Sequence, residues 1–152
     1  MINILMCGNK GVFDGVLTCA LSIFKRTKTR EPFAFYLLTM DVSHLRADYL
    51  PISESQREFL EEVARSYNKD NRVELIDVSE MYAEEFSGCP NESAYCSPYT
   101  LIRLLADRLE QLPDKLLYLD ADIMFNRDIT LLYDTDVSGV EYAAARDHYG
   151  KY

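Results

Sequence analysis

Two carboxylates, Asp120 and Asp122, stand one residue apart at the end of the apolar run "KLLYLDADIMF", residues 115–125. Buried strands seldom admit a charge, because an ionised group removed from water needs a partner. Side chains at i and i+2 of an extended chain project to the same side, so this spacing predicts two carboxylates aimed at one point. Two like charges held that close repel each other, and a divalent cation removes the conflict. Carboxylate oxygens suit hard cations, Mn²⁺ or Mg²⁺, and Mg²⁺ often takes only one or two of them and fills its shell with water and phosphate oxygens. The residues alone leave a second reading open, in which Asp120 caps the strand and Asp122 starts a turn.

The elements that must position this pair alternate between short apolar runs and amphipathic stretches. Residues 2–6, "INILM", read as a buried strand. The stretch 12–27 places Val16, Leu17, Ala20, Leu21 and Phe24 at helical spacing. Residues 32–40, "PFAFYLLTM", predict a second strand. A helix follows over 52–68, opened by a capping box of Ser53 with Gln56 or Ser55 with Glu58, with Phe59, Leu60, Val63 and Tyr67 as its stripe. Residues 72–78 predict a third strand, 79–86 a short helix, and 87–98 a loop. Pro98 suits the first turn of a helix through 112 that sets Leu101, Leu104, Leu105 and Leu109 on one side. "LLYL", 116–119, is a short strand ending at Asp120; a helical turn within 126–134 and a strand over 139–146 complete the pattern. Strands alternating with helices predict an α/β fold, an open and mainly parallel sheet flanked by helices, Rossmann-like in its layering. No linker or repeat interrupts residues 1–152, so one domain is expected. No helix follows the last strand, so the pattern reads as the N-terminal part of a larger domain.

Composition narrows the partners. The net charge is −9 and the pI about 4.7. The basic residues are scattered apart from "KRTKTR", 25–30, which reads as the cationic end of a helix. No nucleic-acid footprint is present, and an acidic protein that binds an anion needs a metal ion to invert the local field. The four cysteines, Cys7, Cys19, Cys89 and Cys96, form no CxxC pair and predict free thiols rather than disulfides. No apolar stretch approaches the ~20 residues of a membrane span, and residues 1–11 lack the features of a signal peptide; the expectation is a cytoplasmic chain with no transmembrane segment.

Residues 100–134, "TLIRLLADRLEQLPDKLLYLDADIMFNRDITLLYD", closely resemble the signature of glycosyltransferase family 8. The shared order is a helix with Arg, Leu-Pro, a basic residue, an apolar strand, Asp-x-Asp, an acidic residue and a pair of leucines. The resemblance extends upstream to residues 2–27 and downstream to "EYAAARD". It implies the GT-A type of nucleotide-diphospho-sugar transferase fold. It implies a retaining, metal-dependent hexosyl transfer from a UDP-sugar to a saccharide or glycolipid acceptor, in polysaccharide or lipopolysaccharide synthesis. By the resemblance, Asp120 and Asp122 hold Mn²⁺ (or Mg²⁺) against the donor diphosphate, with Ala121 between them against the donor. Arg103 matches the helix arginine that contacts the donor, although an i,i+4 pair with Asp107 is its ordinary alternative. Asp147 matches an acidic position on the acceptor side. The first loop, Cys7, Gly8, Asn9 and Lys10, falls where the family binds uracil and ribose; the family carries an acid there, this chain has none, and a plain tight turn about Gly8 and Gly11 is the other reading.

The family also supplies a His ligand and a phosphate-binding Lys from a segment reading roughly H-x-x-G-x-x-K-P-W. This sequence has no Trp, and its two histidines, His44 and His148, lie in no such motif. A second reading follows from that departure, a truncated, non-catalytic UDP- and metal-binding fragment; a third rests on the aspartates alone, a phosphatase of the haloacid dehalogenase type, which also uses Asp-x-Asp after an apolar strand.

Overall fold

β1 (Ile2–Cys7) and β2 (Phe33–Thr39) run parallel, in register from Ile2 opposite Phe33 to Cys7 opposite Leu38. The computed structural model describes residues 1–90, 92 and 97–144. β3 (Arg72–Asp77) pairs parallel with the outer side of β2, and the two-residue β4 (Leu117–Tyr118) pairs parallel with β1. The order across the sheet is β3-β2-β1-β4. All seven residues of β2 are buried, because both faces of the sheet are covered. Each large apolar side chain so placed contributes roughly 1.5–3 kcal/mol relative to exposure.

The period of two sorts the strand residues into two cores. Ile2, Ile4 and Met6 of β1 and Phe33, Phe35 and Leu37 of β2 pack beneath α1 (Phe13–Arg26) and α2 (Glu54–Tyr67). Leu5, Ala34, Tyr36 and Leu38 face the other way, toward α3 (Ser79–Glu85) and the segment from Tyr99 to Leu109. α2 begins as the sequence predicts: Ser53 and Gln56 form the capping box. Its buried residues are Leu60 and Ala64, whereas Phe59 and Tyr67 of the expected stripe are exposed, as is Leu21 of α1. Asn71 fastens the far end: it accepts from the Phe33 amide at 2.8 Å and donates to the Ala64 carbonyl at 2.8 Å.

Two expected elements differ. The helix after Pro98 forms, with Pro98 in its first turn and Ser97 as its cap, but it is wound as 3-10 turns, Pro98–Thr100 and Ile102–Arg108. At three residues per turn, positions i and i+3 eclipse. Tyr99, Ile102 and Leu105 therefore form the buried row, and Leu104, expected inside, is 61% exposed. The strand expected over 139–146 is not formed by residues 139–144. Asp136 accepts from the Ser138 amide and Gly139 takes φ of 80°, so the chain turns there, and Val140 and Tyr142 are exposed. The rest of that stretch lies outside the described residues. The helical turn expected within 126–134 is α4 (Thr130–Tyr133).

Candidate functional site

The chain sends β2 and β3 to one side of β1 and β4 to the other. In open α/β sheets, the point where the order reverses opens a crevice beyond the carboxyl ends of the strands. Here that point lies between β1 and β4. Cys7 ends β1. The Leu119 amide donates to the Leu5 carbonyl at 2.9 Å, which carries the ladder one residue past β4 and delivers Asp120 to the crevice.

From Asp120 the backbone turns, with the Ile123 amide directed at the Asp120 carbonyl at 3.4 Å. The extended geometry that was to aim both carboxylates together does not apply across 120–122; Asp122 sits in the turn, as the simpler reading has it. The rule of i and i+2 holds one step earlier. The Tyr118 hydroxyl donates to Asp120 Oδ1 at 2.5 Å. Burial, and after it this bond, push the Tyr118 phenol above its ordinary pKa, so it stays a donor.

Arg103 reaches the same carboxylate. Its guanidinium lies 4.3 Å over the Tyr118 ring, 3.5 Å from Asp120 Oδ1, and donates from Nε to the Thr100 carbonyl at 2.9 Å. It does not pair with Asp107, the alternative its sequence position allows; the 3-10 winding turns it toward the crevice instead. Both contacts to Asp120 fall on Oδ1, leaving Oδ2 without a protein partner among the described residues. The Cys7 thiol packs beside this group, and burial pushes it up to about 12, so it is neutral and contributes bulk rather than charge.

The first loop adopts the tight turn. Asn9 caps the 3-10 turn Lys10–Val12, with its Oδ1 accepting from the Gly11 amide at 2.9 Å. A Cβ on Gly8 would meet Val12 Cγ2 at 2.3 Å, so a larger residue there requires the exposed Val12 side chain to shift. Thr39 Oγ1 donates to the Gly8 carbonyl and accepts from the Ile52 amide, which ties the loop to the end of β2. Lys10 is exposed. These contacts leave the nucleotide roles of Gly8, Asn9 and Lys10 as an expectation.

Three residues matter here that sequence reasoning passed over. Gly15, in the first turn of α1, lies against Ala121; a Cβ there would meet the Ala121 carbonyl oxygen at 2.5 Å. Its signal was a glycine inside a helical run. Tyr118 carried a signal too, a hydroxyl two residues before an acid on one strand. Asp128, noticed only as an acid in a pattern, accepts from Thr27 Oγ1, the Lys28 amide and both the amide and hydroxyl of Thr130. It pins the segment after the aspartate turn to the end of α1. Asp147 lies outside the described residues.

Among the described residues no cluster of three or more His, Cys, Asp or Glu forms. The donor chemistry of Asp120 and Asp122 still fits a hard divalent cation: two oxygen ligands, one with a free Oδ2 and both exposed, leave room for water and phosphate oxygens.

The model of glycosyl transferase family 8 matches residues 3–152. The chain belongs to that family. The haloacid dehalogenase alternative falls with this assignment. Solved structures share the fold. The galactosyltransferase LgtC, in complex with donor and acceptor sugar analogs, superposes with a TM-score of 0.67 at 24% identity, over 90% of this chain and 43% of its own. The bifunctional glycosyltransferase WbbM gives 0.60 at 14% identity, over 90% and 21%. Mouse xyloside xylosyltransferase 1 gives 0.53 at 12% identity, over 88% and 47%. The chain thus spans under half the length of each. These likenesses establish the GT-A type of fold, an all-parallel sheet flanked by helices. No curated protein matches the chain in sequence. Among the described residues no helix is long and apolar enough to cross a membrane.

Proposed function

We propose that the chain carries the donor site of a metal-dependent glycosyltransferase, which moves a hexose from a UDP-sugar to a saccharide or glycolipid acceptor with retention at the anomeric carbon. The observation that carries this reading is Asp120 at the strand-order reversal, with Arg103 against its Oδ1 and its Oδ2 without a partner among the described residues. Asp120 and Asp122 hold Mn²⁺ or Mg²⁺. The bound ion neutralises charge that gathers on the departing diphosphate. Arg103 supplies a second, fixed positive charge beside the same point, with a planar fork suited to phosphate oxygens. The loop of Gly8 and Asn9 faces the nucleoside end; Asn9 Nδ2 is available as a donor because its Oδ1 is the atom engaged with Gly11. Free thiols at Cys7, Cys19 and Cys89 suit a reducing compartment, and we place the protein in the cytoplasm.

Titration of UDP into the chain with and without Mn²⁺, repeated on Asp120→Asn and Asp122→Asn, tests this. Mn²⁺-dependent binding that both substitutions abolish supports the reading; binding indifferent to metal or to both substitutions defeats it. A second reading, metal and UDP binding without turnover, is favoured by the lack of a third ligand among the described residues. Release of UDP from a panel of UDP-sugars separates the two.

A further inference from the structure

Tyr118 touches both charged groups of the site and belongs to neither. Its hydroxyl holds Asp120 Oδ1 at 2.5 Å, and its ring lies 4.3 Å beneath the Arg103 guanidinium. An aspartate 54% exposed, with no such bond, would rotate freely about its side-chain torsions. The tyrosine is itself fixed. It lies on β4 opposite Leu5, and its ring packs at the edge of the core that holds Leu5, Ile102 and Leu105. One aromatic side chain therefore presets a carboxylate and a guanidinium against each other. The bond it makes also selects which oxygen faces the ligand, since it occupies Oδ1 and leaves Oδ2 open.

We infer that Tyr118 is a positioning residue that orients Asp120 for a divalent cation through its hydroxyl and seats Arg103 for the diphosphate through its ring. The inference rests on the nucleotide-sugar reading above. It goes beyond that reading in giving a role to Tyr118, which that reading leaves out.

The two functions of the side chain can be separated by substitution. Tyr118→Phe keeps the ring and removes the hydroxyl; Tyr118→Leu removes both. The full chain is titrated with Mn²⁺ at fixed saturating UDP, with free Mn²⁺ followed by its EPR signal, and with UDP at saturating Mn²⁺ by calorimetry. Tyr118→Phe is expected to weaken Mn²⁺ roughly tenfold, the equivalent of one hydrogen bond to a charged group, while UDP at saturating Mn²⁺ stays within about twofold of wild type on that account. Tyr118→Leu is expected to weaken both. A thermal melt accompanies each variant, and a merely structural role would lower the two affinities together with the melting point in Tyr118→Phe. That result overturns the inference, as does wild-type Mn²⁺ affinity in Tyr118→Phe. Wild-type protein that shows no Mn²⁺-dependent binding defeats the donor-site reading itself and this inference with it, so the two failures are told apart by the wild-type control.

Discussion

Gly15 and Ala121 meet backbone to backbone: a β-carbon on the glycine would lie 2.5 Å from the alanine's carbonyl oxygen. The first turn of α1 is thereby seated directly against the turn that carries Asp120 and Asp122. In a free helix, replacing glycine by alanine gains about 1 kcal/mol of propensity. At this position the obstacle is a carbonyl, which cannot swing aside as a flexible side chain would. Gly15→Ala is expected to lower stability by roughly 1–3 kcal/mol, the range for overpacking, and to weaken Mn²⁺-dependent UDP binding by moving the turn. Urea denaturation and the UDP titration check the two parts.

Asp128 carries the acid sensitivity of the same region. Burial works to raise its pKa, but bonds from Thr130, Lys28 and Thr27 outweigh it, and the net shift is downward. Its carboxylate therefore stabilises the fold above the unfolded aspartate pKa of about 3.9, and that contribution is lost as pH falls through the lower folded value. Asp128→Ala should cost about 2 kcal/mol at neutral pH, the order of hydrogen bonds to a charged acceptor. The gap between variant and wild type should narrow in melts taken below pH 4.

Arg103→Lys keeps the charge but loses the planar fork and much of the stacking on Tyr118. Because Asp120 is largely exposed, the ion pair itself adds little to folding, ~0–1 kcal/mol. The melt should barely move, whereas UDP binding should weaken roughly tenfold, the loss of one charge-assisted bond. Equal UDP affinity in the variant would remove Arg103 from the donor site.

At the carboxyl end of the sheet, beside the first loop, Ser53→Ala breaks the capping box of α2, in which Ser53 and Gln56 each satisfy the other's amide. The expected loss is ~1 kcal/mol. Urea denaturation checks the loss; because Gln56 Nε2 also donates to the Lys10 carbonyl, the UDP titration on the same variant reads how far the cap supports the first loop.

The parallel sheet and the helices that cover it were legible because apolar period is a local signal: β1, β2, β3, α1 and the capped start of α2 lie where the residues predict them. The 3-10 winding of residues 98–108 was not legible. The expected row and the buried row share Leu105 and Leu109 but differ at their other positions, and packing against β1 and β2 decides between them. In the site, the residue types of Asp120 and Arg103 announced themselves, but their contact did not. It joins positions 17 apart in sequence across a strand and a 3-10 segment. The turn at Asp122 was not legible either: the chain stops being extended after Asp120, so the spacing rule for strands does not by itself decide where the Asp122 carboxylate points. Gly15 carried only the signal of a glycine inside a helical run; its role, to leave space for the Ala121 carbonyl, depends on an atom that sequence alone cannot place.

β4 joins the sheet through two residue pairs, Ile4 with Leu117 and Leu5 with Tyr118, and one amide beyond them at Leu119. Local opening free energies fall where few backbone bonds and little buried surface hold a segment, so the seam between β1 and β4 opens more readily than that between β1 and β2, which is paired along six residues. A ligand that spans from the end of β1 to Asp120 closes that seam from outside. Part of its binding energy then appears as local folding energy. Occupancy should be readable at the Leu119 amide as slowed exchange with solvent, while the amides of β2 keep the rate they have without ligand.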